Sequence, residues 1–304
     1  MKRRSTAGRL HYGIAWLLIF GFFCLAACTG DSPAAAGEEG TVSTAASSSA
    51  RDGEAETETK LHLPEASGTV VYEAEGVTID ASNVAQGYVM VKCESTQKRL
   101  KVKISTSAQA YYYDLPSDAG YCVYPLQMGN GRYSMRVMEQ AEGDLYAVRY
   151  GVDIDVTLAE GTVPFVYPNQ YVWFGALSDV VATADALAQD ATDAAAVSDA
   201  CYRFVLDHLT YDAQKAATVE AGYLSDADET LDSGTGICFD YSVLLAAMLR
   251  SQGIPARVVI GTVLPEQYYH AWNSVYIDGE WVWLDATLDG TAHREKDYVA
   301  ERIY

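Results

Sequence analysis

Two runs of alternating apolar residues near the end of the chain, Tyr269 to Ile277 and Glu280 to Thr287, are separated by Asp278-Gly279. Asp-Gly between such runs is a strong short-range hairpin signal, because both central residues of a type I′ turn need positive φ. The turn dictates a register in which Ile277 faces Glu280, Trp272 faces Asp285 and His270 faces Thr287. Facing residues and their second neighbours share one side of a pleated sheet. His270 and Asp285 are then diagonal neighbours, roughly 7–8 Å apart at the backbone and within side-chain reach. A slip of one residue would send them to opposite faces. A two-residue turn is therefore enough to specify a histidine–carboxylate pair.

A third group stands upstream. Gly236-Ile237-Cys238-Phe239-Asp240-Tyr241-Ser242 runs into Val243-Leu244-Leu245-Ala246-Ala247-Met248-Leu249-Arg250, which is apolar almost all round and reads as a helix buried on most sides. Gly253 and Pro255 end it. Cys238 falls in the first turn, where unpaired N–H groups and the helix dipole favour a thiolate. Gly236 is expected to clear space for a substrate backbone. Asp240 either tunes the thiol or complements the helix dipole. A strand is expected at Ala256 to Ile260. With His270 as base and Asp285 as orienting group, Cys238 would complete a nucleophilic triad, and backbone N–H groups around it would hold an oxyanion.

These segments, together with Gly253-Ile254-Pro255-Ala256-Arg257, His270-Ala271-Trp272-Asn273 and Trp283-Leu284-Asp285-Ala286-Thr287, resemble the bacterial transglutaminase-like superfamily. The resemblance spans roughly Val197 to Tyr304. It implies a papain-like α+β fold with Cys238 as nucleophile, His270 as base and Asp285 as orienting group. It places no second oxyanion donor by motif; Tyr211 is a candidate whose competing role is in the core. Trp272, Trp281 and Trp283 share a face with the pair, as cleft wall or as core. His208 and His293 read as surface histidines, and Cys201 as a core residue on a helix between Ser178 and Leu209. A polar loop is expected from Tyr211 to Gly236.

From about Pro64 to Gln170 the period changes to two. Thr69-Val70-Val71-Tyr72, Gly87 to Val91, Leu100 to Ile104, Tyr133 to Val137 and Val152 to Val156 read as short strands, with Gly129-Asn130-Gly131 as a tight turn. Strands at this spacing suggest a β-sandwich. Tyr111-Tyr112-Tyr113, Tyr121 and Tyr124 either fill sheet faces or form a stacking surface for sugar or peptide. Cys93 and Cys122 are compatible with a disulfide or with two free thiols. No Cys-x-x-Cys or paired-histidine spacing occurs, so neither metal nor cofactor is expected.

The first residues carry an address. Lys2, Arg3, Arg4 and Arg9 precede a mostly apolar stretch, Gly13 to Ala27, too short for the ~20 residues of a spanning helix. Leu25-Ala26-Ala27-Cys28 resembles a bacterial lipobox, which implies a signal peptide over 1–27 and lipid attachment at Cys28. The competing reading is an ordinary signal peptide with an incidental cysteine. Residues 28–63, poor in large apolar side chains, read as a disordered spacer. The expected organisation is completed by a β-sandwich-like domain over 64–172 and a catalytic domain over 173–304. The net charge of −20 argues against nucleic-acid binding.

The expected function is a lipid-anchored thiol enzyme on the extracytoplasmic face of a bacterial membrane. It would act on amide bonds of a protein or peptidoglycan peptide through a thioester, with hydrolysis favoured over transfer to an amine. The alternative is a non-catalytic surface lipoprotein that binds wall peptide or glycan.

Overall fold

The computed structural model describes residues 60–304. The signal peptide, the Cys28 attachment site and the spacer up to residue 59 lie outside the described residues. The last four positions assigned to the spacer do not behave as one: Leu61 packs against the C-terminal core and the His62 ring meets Tyr167 edge-on at 5.6 Å. Composition alone missed this because two apolar contacts suffice to fasten so short a segment.

The first half is all β. Its strands are β1 (Val71–Ala74), β2 (Val77–Asp80), β3 (Tyr88–Cys93), β4 (Leu100–Ser105), β5 (Ala110–Leu115), β6 (Cys122–Pro125), β7 (Gly131–Glu142) and β8 (Leu145–Val156). They form two four-stranded antiparallel sheets, β1-β2-β3-β6 and β5-β4-β7-β8. Apolar faces of both sheets share one core, including Ile79, Val89, Val102, Ile104 and Met135. Alternation in β4 is strict, with Leu100, Val102 and Ile104 buried and Lys101 and Lys103 outside, as the period of two requires. The sequence reading did not mark β2, β5 and β6. Tyr111 and Tyr113 on β5 and Tyr124 on β6 point into the core and fill sheet faces, whereas Tyr112 is exposed and Tyr121 half-buried, each beneath a lysine. Cys93 and Cys122 are free thiols, and burial pushes both upward in pKa.

The second half begins with α1 (Asp179–Ala188) and α2 (Ala194–His208). These are two helices rather than one, because Asp193 caps the second by accepting the Ala196 N–H at 2.8 Å. Cys201 is buried on α2, and desolvation pushes its thiol up to about 12. The segment expected to be a polar loop holds β9 (Thr210–Tyr211), α3 (Ala213–Thr218), α4 (Ala227–Ser233) and β10 (Thr235–Gly236). Its acids are caps: Asp212 starts α3 and Asp226 starts α4. A polar composition hid two short helices whose charges serve their ends.

The centre of this half is α5 (Cys238–Ser251), buried at every residue from Phe239 to Ser251. Full burial of each Leu, Val or Met contributes about 1.5–3 kcal/mol, so the helix anchors the fold. It packs on the antiparallel sheet β13-β12-β11-β14, made of β11 (Ala256–Val263), β12 (Tyr268–Ile277), β13 (Glu280–Leu284) and β14 (Tyr298–Ile303). Asp278 and Gly279 both have positive φ, and Ile277 pairs with Glu280 and Asn273 with Leu284, the expected register. Ala271 and Val275 join the α5 cluster, and Asn273 Nδ2 donates to the Ser242 carbonyl at 2.9 Å.

The two halves meet through specific contacts. Arg302 donates to the Ala110 carbonyl at 2.7 Å, and Tyr171 stacks on Tyr304 with centroids 3.8 Å apart. Fully buried Arg250 donates to the carbonyls of Ala256, Tyr167 and Tyr304 at 2.8, 3.0 and 2.8 Å. Its fork supplies donors to three segments at once. Burial pushes the guanidinium down to about 9.

Candidate active site

Register delivers the first contact. His270 on β12 and Asp285, just past the end of β13, are both buried, with Nε2 to Oδ2 at 2.7 Å. The ladder itself stops at Leu284, yet the pairing persists in side chains: Thr287 Oγ1 lies 3.2 Å from His270 Nε2, the residue expected opposite it.

Asp285 is a hub. Its Oδ2 accepts from His270 and from Tyr298 OH at 2.7 Å. Its Oδ1 accepts from the Thr287 N–H at 2.9 Å, Thr287 Oγ1 at 2.7 Å and the Leu288 N–H at 3.1 Å. Burial alone would raise this carboxyl, but the bonds from His270, Tyr298 and Thr287 hold it below the ordinary value. From the other side, Tyr202 OH donates to the Asp285 carbonyl at 2.9 Å.

Cys238 is the first residue of α5 and half-buried. For His270, burial works to lower the pKa. The hydrogen bond to Asp285, the side-chain hydrogen bond with Cys238 and the charges of both overcome this and push it up to about 9. With Nε2 held by Asp285, Nδ1 is the ring nitrogen left for the thiol. All three residues singled out in the sequence therefore converge.

Their surroundings revise several expectations. Tyr211 is not a core tyrosine: it is 47% exposed. It pairs with Gly236 in the parallel β9–β10 contact, and burial, then the charge of Cys238, push its hydroxyl up to about 12. Burial raises Tyr268 and Tyr269 as well, followed by Asp285 and Glu266 for the first and Glu301 for the second, with the Cys238 charge a smaller cause in both. The three indoles divide. Buried Trp272 lies near parallel to His270 and meets Tyr298 edge-on, as does Trp283. Trp281 instead packs on Phe165 and carries Arg257 at 3.5 Å, securing the connecting segment. His208 bonds to the Leu231 carbonyl, away from this cluster, whereas His293 lies beside Glu266 and meets Tyr268 edge-on, one ring removed from His270.

Gly236 has a different purpose from the one expected. A Cβ there would lie 2.6 Å from Asp240 Cβ and 3.1 Å from its Oδ2, so the space belongs to Asp240 rather than to substrate. Gly236→Ala is expected to lower stability by about 1–3 kcal/mol, read as a lower Tm, because Asp240 cannot retreat without releasing the Ile237 N–H it holds at 2.8 Å.

Tyr298, Thr287 and Tyr202 were not identified as functional from the sequence. Thr287 had a signal, since the hairpin register faces it to His270. Tyr298 and Tyr202 had none, because only the fold brings β14 and α2 to the carboxylate. Among the described residues, no group of three or more His, Cys, Asp or Glu is placed to hold a metal ion.

Residues 181–286 match the model of the Transglutaminase-like superfamily. The transglutaminase-like core so defined begins in α1, earlier than the motifs indicated, and ends one residue after Asp285. Cysteine-dependent enzymes make up this superfamily. Solved structures similar to the chain include a candidate cysteine protease from Cytophaga hutchinsonii, 16% identical, with TM-score 0.40 over 71% of this chain and 83% of that one. The periplasmic domain of TgpA from Pseudomonas aeruginosa is 16% identical, with TM-score 0.33 over 64% and 88%. Calcium-bound LapG from Legionella pneumophila is 17% identical, with TM-score 0.29 over 41% and 83%. No curated protein matches the chain.

Proposed function

We propose that the chain is a cysteine hydrolase acting on amide bonds of proteins or peptidoglycan peptides, lipid-anchored through Cys28 at the extracytoplasmic face of a bacterial membrane. The observation that carries the catalytic part is the buried His270–Asp285 pair joined to Cys238 at the start of α5.

Asp285 holds the imidazole with its Nε2–H toward the carboxylate, so Nδ1 takes the thiol proton. The thiolate attacks the amide carbonyl. The first turn of α5 has N–H groups without intrahelical acceptors, and they face the oxyanion that forms. His270 then returns the proton to the leaving amine, and the acyl group stays on Cys238 as a thioester. Water, deprotonated by His270, releases the acid. Release by an amine would give a transamidase from the same thioester.

The test is site-resolved alkylation with iodoacetamide followed by a panel of peptides, with a primary amine added in parallel. Rapid alkylation of Cys238 over Cys93, Cys122 and Cys201, lost in His270→Ala, and release of free acid support the proposal. A Cys238 no more reactive than a free cysteine would leave a binding lipoprotein. Incorporation of the amine would establish transfer. We assign the second oxyanion hydrogen bond to Tyr211, whose exposed hydroxyl feels the charge of Cys238. Tyr211→Phe is expected to lower kcat about 10²-fold while KM changes little, which steady-state kinetics measures.

A further inference from the structure

A second polar cluster stands behind the nucleophile. Asp240, two residues after Cys238, is fully buried. Its Oδ2 accepts from the Ile237 N–H at 2.8 Å and pairs with Lys215 Nζ at 2.7 Å, while Oδ1 accepts from Tyr223 OH at 2.8 Å. Lys215 Nζ donates to Tyr223 OH at 2.8 Å and lies 4.6 Å from the centre of that ring. Gly236 is the residue that leaves room for this carboxylate.

The arrangement answers an electrostatic problem. A carboxylate in the first turn suits the helix dipole, but buried beside a thiolate it opposes the charge that catalysis needs. A cation within 4 Å cancels it. Lys215 comes from α3, which has no buried residue of its own. The Asp212 N–H bond to the Gly236 carbonyl at 2.8 Å fastens its start, and the ion pair, together with Tyr223, fastens its side chains to the nucleophile's turn.

We propose that Lys215 and Asp240 form a charge-balanced positioning pair that sets the thiolate population of Cys238 and fixes the first turn of α5. The proposal rests on Cys238 being the nucleophile. The groups facing the thiol are His270, Tyr268 and Tyr269 on β12 and Tyr211 on β9, while Asp240 acts on it from behind, two residues along the same helix. Asp285 acts through His270. Lys215 and Tyr223 face Asp240. Of these, Lys215 is the cation that can be removed without touching the triad. Its own pKa is raised: burial works to lower it, and the bonds and charges of Asp240 and Tyr223 overcome this.

The experiment measures the pH dependence of Cys238 alkylation, site by site, by mass spectrometry in the full chain. Lys215→Met leaves the carboxylate unbalanced and is expected to move the acid midpoint up by about one pH unit. Asp240→Asn keeps an acceptor for the Ile237 N–H, leaves the ammonium unbalanced and moves the midpoint down by a similar amount. The double variant returns close to wild type, and Lys215→Arg stays there. A packing role alone would slow alkylation in both single variants with no opposed shifts, and that result overturns the proposal. If Lys215→Met does not fold by circular dichroism, Asp240→Asn decides: a downward shift supports the pair, and an unmoved midpoint refutes it. Slow, unselective alkylation of wild-type Cys238 would instead refute the thiol-enzyme reading on which the pair depends.

Discussion

Cys238→Ala is expected to remove about a millionfold of amide turnover while leaving the folded state within about 1 kcal/mol of wild type. The two halves of this expectation have different origins. The thiol is half-buried, so the loss of one atom opens little cavity. The chemistry is lost outright, since no other thiol of the described residues adjoins His270: Cys201 is buried in α2, and Cys93 and Cys122 are in the sandwich. The variant also withdraws the Cys238 hydrogen bond and charge that help raise His270 to about 9, so the imidazole should titrate lower. Peptide turnover, circular dichroism and an NMR titration of the His270 ring check the three parts. Appreciable residual turnover would mean that another group performs the attack.

Asp285→Asn is expected to cost 10³–10⁴ in kcat, on the order seen when a triad's orienting carboxylate is neutralised. The backbone N–H groups of Thr287 and Leu288 can only donate, so the amide oxygen stays with them and the N–H turns toward His270 and Tyr298. Facing an amide N–H, Nε2 must become the acceptor. Nδ1 then carries the proton and cannot accept one from the thiol. The pH profile supplies an independent sign. In the wild type, the imidazolium that protonates the leaving amine is present below about pH 9, so the rate falls as pH rises through that value. Without the carboxylate the basic limb should move down toward the ordinary histidine value near 6.5. Stability follows the same group: because the folded pKa is raised, the imidazolium's contribution is complete below about 6.5 and is lost as pH rises through about 9. Denaturant unfolding of wild type between pH 6 and 10 should show this decline, and the Asn variant should show less of it.

The catalytic candidates were legible because each rests on local rules. A type I′ turn sets a register, and a register sets which side chains meet. An apolar run ended by Gly253 and Pro255 sets a helix, and its first residue is Cys238. The same local logic failed between Tyr211 and Gly236. There Asp212 and Asp226 cap short helices whose existence depends on what they pack against. It also failed at β2, β5 and β6, four to six residues each, where alternation over so few positions does not stand out from loop. Gly236 shows the limit most sharply. The sequence marks a position that must stay small, but only coordinates reveal that the neighbour requiring it is Asp240.

By itself, the order of residues determined the helix, the hairpin and the pairing of His270 with Asp285, since these depend on contacts between near neighbours along the chain. Tertiary structure alone decided what holds that pair and its nucleophile in place. Tyr298 arrives from a strand beside β11, Tyr202 from α2 and Lys215 from α3, and Arg250 binds carbonyls of three separate segments. The reason is physical: a buried carboxylate or guanidinium needs several partners converging from different directions, and nothing in the local pattern states which distant segments will supply them.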